Sequence, residues 1–366
     1  MKLNLKRGVA PNVSGNPIIN FKTVRGSVDM IEEVLPNLFR LEVPLPNNPL
    51  KAINSYIIKS KDRNLIIDTG MNREECMAVF EVGLKELSIN LRETDFFITH
   101  MHDDHSGLVS ELATNDSRIY CSLPDSVLIG PVITAEELYS KMFEIAGLCG
   151  FPESEFWDAV LTYPDFKYSD REALEFNILK EGDTLSIGEY HFTCLETPGH
   201  SDGHLCLYDG DKKLLVSGDH ILSDITPSIL MWSPLGNPLK DFINSLDRIS
   251  GLAVDMVLPG HRRVFSDCKG RIEELKLHHR NRAQEILAIL EKGAADVYQV
   301  ASQMAWDHTY RSWVMFPAPQ KLFAVGEARS HIRYLEEENL VKGELVNGKL
   351  FYSALWGTGY VPGEVL

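Results

Sequence analysis

Four side chains able to bind a metal ion fall within six positions in Thr99-His100-Met101-His102-Asp103-Asp104-His105, an HxHxDH spelling that follows the apolar run Phe96-Phe97-Ile98. On an extended segment residues two apart point the same way, so His100 and His102 share a direction while Asp104 and His105 fall on the turn that follows. One loop can therefore serve two adjacent ions. Three further candidates lie downstream, each after a β-like run and a glycine: His200 in Thr197-Pro198-Gly199-His200-Ser201, Asp219 in Ser217-Gly218-Asp219-His220, and His261 in Leu258-Pro259-Gly260-His261. Imidazole and carboxylate ligands without a thiolate suit zinc first, and also iron or manganese, because metal availability and the Irving–Williams order decide among them.

Other histidines read differently. His220, next to Asp219, is a candidate to donate a proton to a leaving group or to touch substrate, against the plainer reading of a hydrogen-bonded strand-end histidine. His204 reads as a supporting partner as much as a ligand, since metal-bound histidines need their other nitrogen fixed by neighbours, and it is left out of the ligand set. His278 and His279, beside Arg280 and Arg282 on a predicted helix, are expected on a solvated or interdomain face. Trp306, Trp313 and Phe316 are expected in a core.

The elements that must position these residues alternate in period. Short β-like runs at Leu38–Leu41, Ser55–Ile58 and Asn64–Asp68 are bounded by Pro, Asn or Gly. Helical spacing of Cys76, Val79, Phe80, Leu84 and Leu87 predicts a helix over 73–88, followed by a buried strand at Phe96–Thr99. Strand, helix, strand is α/β grammar. Residues 124–172 read as a helical insertion whose Leu138, Met142, Phe143, Phe156 and Trp157 either pack or form a lid over the site. Strands resume at Tyr190–Leu195, His204–Tyr208, Leu214–Val216 and Met256–Leu258, and this sheet domain is expected to span 1–270. From 271 to 366 the pattern is helical, then a hairpin whose Asn347-Gly348 pair is a type I′ turn signal, which together suggest a small winged-helix-like domain.

The seven positions His100, His102, Asp104, His105, His200, Asp219 and His261, in this order and at glycine-flanked strand ends, resemble the ligand pattern of the metallo-β-lactamase superfamily over about residues 30–265. The resemblance implies an αββα sandwich with a two-metal site at the edge of the two sheets. It implies that His100, His102 and His200 hold one ion, that Asp104, His105 and His261 hold the second, and that Asp219 bridges them. It also implies that Asp68, in Ile66-Ile67-Asp68-Thr69-Gly70, supports the ligand loop. The 271–366 segment is similar, more loosely, to the C-terminal domain of the β-lactamase-like protein 2 subgroup.

Two divalent cations about 3.5–4 Å apart can share a water, lower its pKa towards about 7 and bind a developing oxyanion. The expected nucleophile is a metal-bridging hydroxide, with Asp104 orienting it and Asp219 balancing charge between the ions. The expected reaction is hydrolysis of a small ester-like substrate, thioester or lactone foremost. The alternative is a metal-dependent ribonuclease or phosphodiesterase.

Composition weighs between them. The 366 residues carry 36 Lys and Arg against 52 Asp and Glu, a formal −16, with 44% hydrophobic residues, an ordinary globular balance that rules out disorder, collagen and a mini-scaffold. Residues 271–366 hold 11 basic against 12 acidic residues, a net −1, and the remainder 25 against 40, a net −15. Neither part has the basic footprint of a nucleic-acid backbone binder, so a small-molecule partner is expected and nucleic acid is not. No apolar run approaches the roughly 20 residues that cross a bilayer, so no membrane partner is expected. The N-terminus lacks the apolar core and cleavage site of an export signal, which points to the cytoplasm and away from penicillin hydrolysis. Six scattered cysteines without a CxxC pair read as buried, reduced thiols. The helix expected at Gln320–Glu338 has enough apolar positions either to pack against the rim of the site or to pair subunits in a homodimer.

Overall fold

Asn64-Leu65-Ile66-Ile67 and Thr94-Asp95-Phe96-Phe97 are buried along their whole length, as strands covered on both faces must be. Their alternate residues feed two different cores. Leu65, Ile67 and Phe97 face a second sheet, whereas Ile66 and Phe96 face a helix layer. The computed structural model describes residues 22–23, 30–46, 48–130, 135–162, 174–306, 310 and 312–355.

The first sheet has eight strands in sequence order: β1 (Lys22–Thr23), β2 (Ile31–Leu35), β3 (Leu38–Pro44), β4 (Ala52–Ile58), β5 (Asn64–Ile67), β6 (Thr94–Phe97), β7 (Ile119–Cys121) and β8 (Phe176–Ile178). It runs antiparallel to β5 and parallel from there on. The second sheet comprises β9 (Thr184–Ile187), β10 (Tyr190–Glu196), β11 (Leu205–Asp209), β12 (Leu214–Gly218) and β13 (Met256–Pro259), in the order β13-β12-β11-β10-β9. Phe192, Leu205, Leu207, Leu214, Val216 and Leu258 meet Leu38, Tyr56, Leu65, Ile67 and Phe97 between the sheets.

Helices close both outer faces. α1 (Glu74–Leu87) covers the first sheet with Cys76, Val79, Phe80, Leu84 and Leu87, the expected stripe. The short α2 (Asp103–Ser106) and α3 (Val109–Leu112) follow β6, and α4 (Leu123–Ile129) follows β7. The insertion supplies α5 (Ala135–Leu148) and α6 (Glu153–Thr162), and α7 (Pro238–Ser250) lies on the second sheet through Leu239, Phe242 and Leu246. The layers are helix, sheet, sheet, helix.

The chain ends in α8 (Cys268–Leu290), α9 (Val297–Gln303), α10 (Ala318–Glu337) and a three-stranded sheet of β14 (Ala295–Asp296), β15 (Val341–Val346) and β16 (Lys349–Ala354), ordered β14-β16-β15. Asp267 caps α8 by accepting the Gly270 N–H, so residue 270 lies inside the first turn of that helix. Asn347 and Gly348 have φ of 50° and 80°, as a type I′ hairpin requires.

The insertion docks on this C-terminal segment. Met142, Ile145, Phe156 and Val160 share one core with Leu322, Val325, Ala328 and Ile332. Glu155 of α6 accepts from Lys321 Nζ at 2.9 Å and from the Tyr298 hydroxyl at 3.0 Å. Met142 and Phe156 are therefore spent on packing, the first of the two readings offered for the insertion, while Trp157, stacked on Phe143, and Leu138 stay partly exposed. Residues 131–134 and 163–173 of the insertion lie outside the described residues. All six cysteines are buried and free, as composition suggested.

Candidate metal centre

The ligand loops emerge at the ends of β6, β12 and β13 and from the turn between β10 and β11. Asp68 ends β5 with φ of 57°, a left-handed conformation that Asp tolerates better than most residues. Its carboxylate accepts the Thr99 N–H and the Thr99 hydroxyl, both at 2.8 Å, and lies 2.7 Å from His105 Nδ1. The Thr99 oxygen in turn stands 3.0 Å from His100 Nδ1. Farther along the chain, the Ser228 carbonyl accepts His200 Nδ1–H at 2.7 Å and the Ala52 carbonyl accepts His261 Nδ1–H at 2.8 Å. With Nδ1 engaged on four imidazoles, each presents Nε2 inward.

The inward atoms form overlapping groups. His100 Nε2 and His200 Nε2 lie 2.9 and 3.1 Å from His102 Nδ1. His261 Nε2 is 3.3 Å from Asp104 Oδ2, and His105 Nε2 is 4.0 Å from Asp104 Oδ1. Asp219 stands between the two sets, with Oδ2 3.6 Å from His200 Nε2 and 3.4 Å from His261 Nε2, and Oδ1 3.5 Å from His105 Nε2. Among the described residues, the groups placed to hold a metal ion are His100-His102-His200, His100-His105-Asp219 and Asp104-His105-His261. Ligands at about 2.0–2.1 Å from a tetrahedral ion stand roughly 3.3–3.4 Å apart, which lies within the 2.9 to 4.0 Å range of these spacings. His105 Nε2, Asp219 Oδ1 and His261 Nε2 are also buried without a hydrogen-bond partner among the described residues. Buried polar orphans are rare, and a divalent cation supplies what they lack.

Electrostatics divides the centre. Burial, then the neighbouring imidazoles, hold His100 well below the ordinary histidine range and bring His102 down to about 3; burial also lowers His200. These three are neutral, as metal ligation requires. Burial acts the same way on His105 and His261, but the facing carboxylates, Asp219 first, outweigh it, lifting His105 well above its ordinary value and His261 to about 10. Burial alone would raise Asp219 and Asp104; the His105 and His261 charges hold the first well below the carboxylate range and the second at about 2. A proton on these imidazoles occupies the role that a cation would take.

Two glycines are dictated by this crowding. Gly218 has φ of 47°, and a Cβ there would come within 2.7 Å of His204 Nε2. At Gly260 a Cβ would sit 2.5 Å from Asp219 Oδ1 and 2.7 Å from His105 Cε1.

The remaining histidines sort clearly. His204 faces the Thr197 hydroxyl through Nδ1 at 2.8 Å and accepts the Asp219 N–H at Nε2, 3.2 Å away, so it holds a ligand's backbone without joining the ligand groups. His220 is fully buried beside the site, its ring 5.0 Å from Phe242 and 6.0 Å from His204, outside those groups. His279 is buried, with Nδ1 3.1 Å from His331 Nε2 of α10 and its ring 5.4 Å from Phe242 of α7, which fits the interdomain rather than the solvated face expected of it, while His278 is partly buried. Trp306 donates to the Ala301 carbonyl beneath Arg282, and Trp306, Trp313 and Phe316 pack as core.

Sequence reasoning missed Asp125. This buried carboxylate accepts the Met101 N–H at 2.9 Å, the Ser201 hydroxyl at 2.6 Å and the Gly203 N–H at 2.9 Å, tying the HxHxDH loop to the His200 turn. Burial raises its pKa to about 6 against those bonds. Its local spelling, Ser122-Leu123-Pro124-Asp125, reads as a helix start, and Ser122 does cap α4. That reading accounts for the residue before its long-range partners come into view.

The sequence model of the metallo-beta-lactamase superfamily matches residues 49–261, a stretch that carries all seven ligand positions and ends on the last of them, His261. The chain is 27% identical over 231 residues to an acyl-coenzyme A thioesterase of Gallus gallus, covering 58% of this chain and 73% of that protein. It is 24% identical to a beta-lactamase-like protein 2 homolog of Caenorhabditis elegans, covering 92% of this chain and 95% of the relative. Among solved structures, a metallo-beta-lactamase family protein from Thermus thermophilus superposes with a TM-score of 0.74 at 26% identity, over 88% of this chain and 100% of that one. Fold, ligand order and sequence similarity agree: the chain belongs to the metallo-beta-lactamase superfamily.

Proposed function

We propose that the protein is a binuclear metal-dependent hydrolase of a small ester-like substrate, with thioesters foremost and lactones next. The observation that carries the two-ion reading is the Asp219 carboxylate, which reaches His200 of one ligand set and His105 and His261 of the other. His100, His102 and His200 would hold one ion, Asp104, His105 and His261 the other, and zinc suits both donor sets. When bound, such ions activate water as a nucleophile and stabilise the oxyanion that forms.

The chain's own part is to set this up. Asp104 stands at the second set, ready to accept a hydrogen bond from the attacking water. His220 is held at about 3 by burial and then by the nearby His200 imidazole, so at neutral pH it stands behind the site as a neutral, fully buried ring rather than as a proton donor to a leaving group. A thioester is favoured because a relative bears that activity in its name and because a formal charge of −16 disfavours a polynucleotide. No helix among the described residues is long and apolar enough to cross a membrane. We read the chain up to Asp267 as the catalytic unit and the segment from α8 onward as a winged-helix-like unit packed on it, with a homodimer as the assembly.

The test is chelator-sensitive hydrolysis by metal-analysed protein of a panel holding acyl-CoA thioesters, lactones, a bis-aryl phosphodiester and single-stranded RNA. Turnover of thioester or lactone alone supports the reading. Turnover of RNA or phosphodiester alone would replace it with the nuclease alternative.

A further inference from the structure

Residues 221–237 connect the end of β12, beside Asp219, to α7. The Ser228 carbonyl in this segment accepts His200 Nδ1–H at 2.7 Å and so aims Nε2 at His100 and His102. Several of the contacts that hold the segment come from the C-terminal helices. Arg271 of α8 donates to the Leu222 and Ile225 carbonyls at 2.7 and 2.8 Å. In α10 the Gly326 carbonyl accepts the Met231 N–H at 3.2 Å, and Arg329 Nη1 donates to the Met231 carbonyl at 3.0 Å. Beyond Met231, Arg333 Nε donates to the Gly236 carbonyl and Glu337 accepts from Asn237 Nδ2.

Gly326 sits inside a 20-residue helix, where glycine is a poor choice. The contact explains it: a Cβ there would lie 2.8–3.0 Å from the Trp232 indole, so any side chain must displace that ring, which is adjacent in sequence to Met231. Arg329 is itself buried and spends its donor on the same residue, Met231.

We propose that Gly326 and Arg329 are positioning residues for the metal centre, acting through Met231 on the Ser228 carbonyl and thereby on His200. This rests on the reading of His100, His102 and His200 as a metal site. A brace that merely stabilised the fold would act on both ligand sets alike. A brace that aims His200 acts on one.

The experiment is a cobalt titration of the full metal-free chain, followed by calorimetry and visible absorbance, for wild type, Gly326→Ala and Arg329→Met. Wild type is expected to bind two ions. In the variants one ion is expected to weaken at least about 10-fold, the scale on which outer partners of ligands act, while the other ion keeps its affinity and the thermal midpoint moves little. Alanine is the better helix former, so melting of α10 does not account for such a loss. Arg329→Met carries the same test if Gly326→Ala fails to fold, and Arg329→Lys, which keeps a donor, should recover part of the affinity. Wild-type affinity for both ions in the variants overturns the proposal and leaves the metal reading standing. Equal weakening of both ions with a lowered midpoint overturns it in favour of a general brace. A wild type that binds no cobalt removes the metal reading and the proposal together.

Discussion

His204 Nε2 accepts the backbone N–H of Asp219 at 3.2 Å while its ring stacks 5.2 Å from that of His100. One imidazole outside the candidate ligand groups thus fixes the backbone of Asp219, whose carboxylate stands between them. His204→Ala removes the acceptor and opens space beneath His100. We expect metal affinity to fall about 10–100-fold, with secondary structure retained by circular dichroism. Unchanged affinity in a calorimetric titration would show that the Gly218 turn alone places Asp219.

Asp125→Asn tests the link between the two ligand loops. One of its two acceptor oxygens becomes an NH2 group facing N–H or O–H donors, and a buried donor left unsatisfied costs about 1–3 kcal/mol. We expect a drop of that size in unfolding free energy together with weaker metal binding, since Met101 and Ser201 flank the ligands His100, His102 and His200. A urea titration at wild-type stability would contradict the role assigned to this carboxylate.

The imidazole protons of the metal-free centre predict a pH signature. His261 has a folded pKa of about 10, above the ordinary value near 6.5, so its proton stabilises the fold fully below pH 6.5, and that contribution is lost as pH rises through about 10. Asp104, lowered to about 2, contributes stability above its ordinary value near 3.9 that is lost only as pH falls through about 2. Between pH 7 and 10 the thermal midpoint of chelated protein should therefore fall, whereas loaded protein, with ions in place of those protons, should fall less. Parallel midpoints for the two forms across that range would contradict the exchange of proton for cation.

Truncation after Phe265 should not leave a folded enzyme. Phe242 and Ile243 of α7 share one core with Ile272, Leu275 and the α10 residues Leu322 and Val325, and removing the latter exposes apolar surface on the second sheet's helix layer. We expect insoluble or molten protein in expression and near-ultraviolet dichroism trials. A soluble, cooperatively melting product would show that 1–265 folds by itself.

These relationships mark what could be read in advance. The clustering of the HxHxDH loop with His200, Asp219 and His261, and the strands that carry them, were legible because each couples a local apolar period to a glycine turn and a ligand-type side chain, as at Val216, Gly218 and Asp219. Asp68 was legible through family resemblance. Asp125 was not, because its partners lie 24 to 78 residues away while its local spelling already explains it as a helix start. The burial of His279 against His331, 52 positions away, was hidden for the same reason. Amphipathic helices α5 and α6 announced an apolar face without saying what covers it, and α10 proved to be the answer.

Two ions shared by Asp219 and used for hydrolysis are the centre of the proposed chemistry. The direct measurement is acyl-CoA thioester turnover as metal-free protein is titrated with zinc, run in parallel on Asp219→Asn. Wild-type activity should rise with bound metal and level off at two ions per chain, while the variant should stay folded, bind fewer than two ions and lose nearly all turnover. Full wild-type activity in metal-free protein, or an Asp219→Asn variant with two tightly held ions and unimpaired turnover, would contradict the two-ion hydrolase.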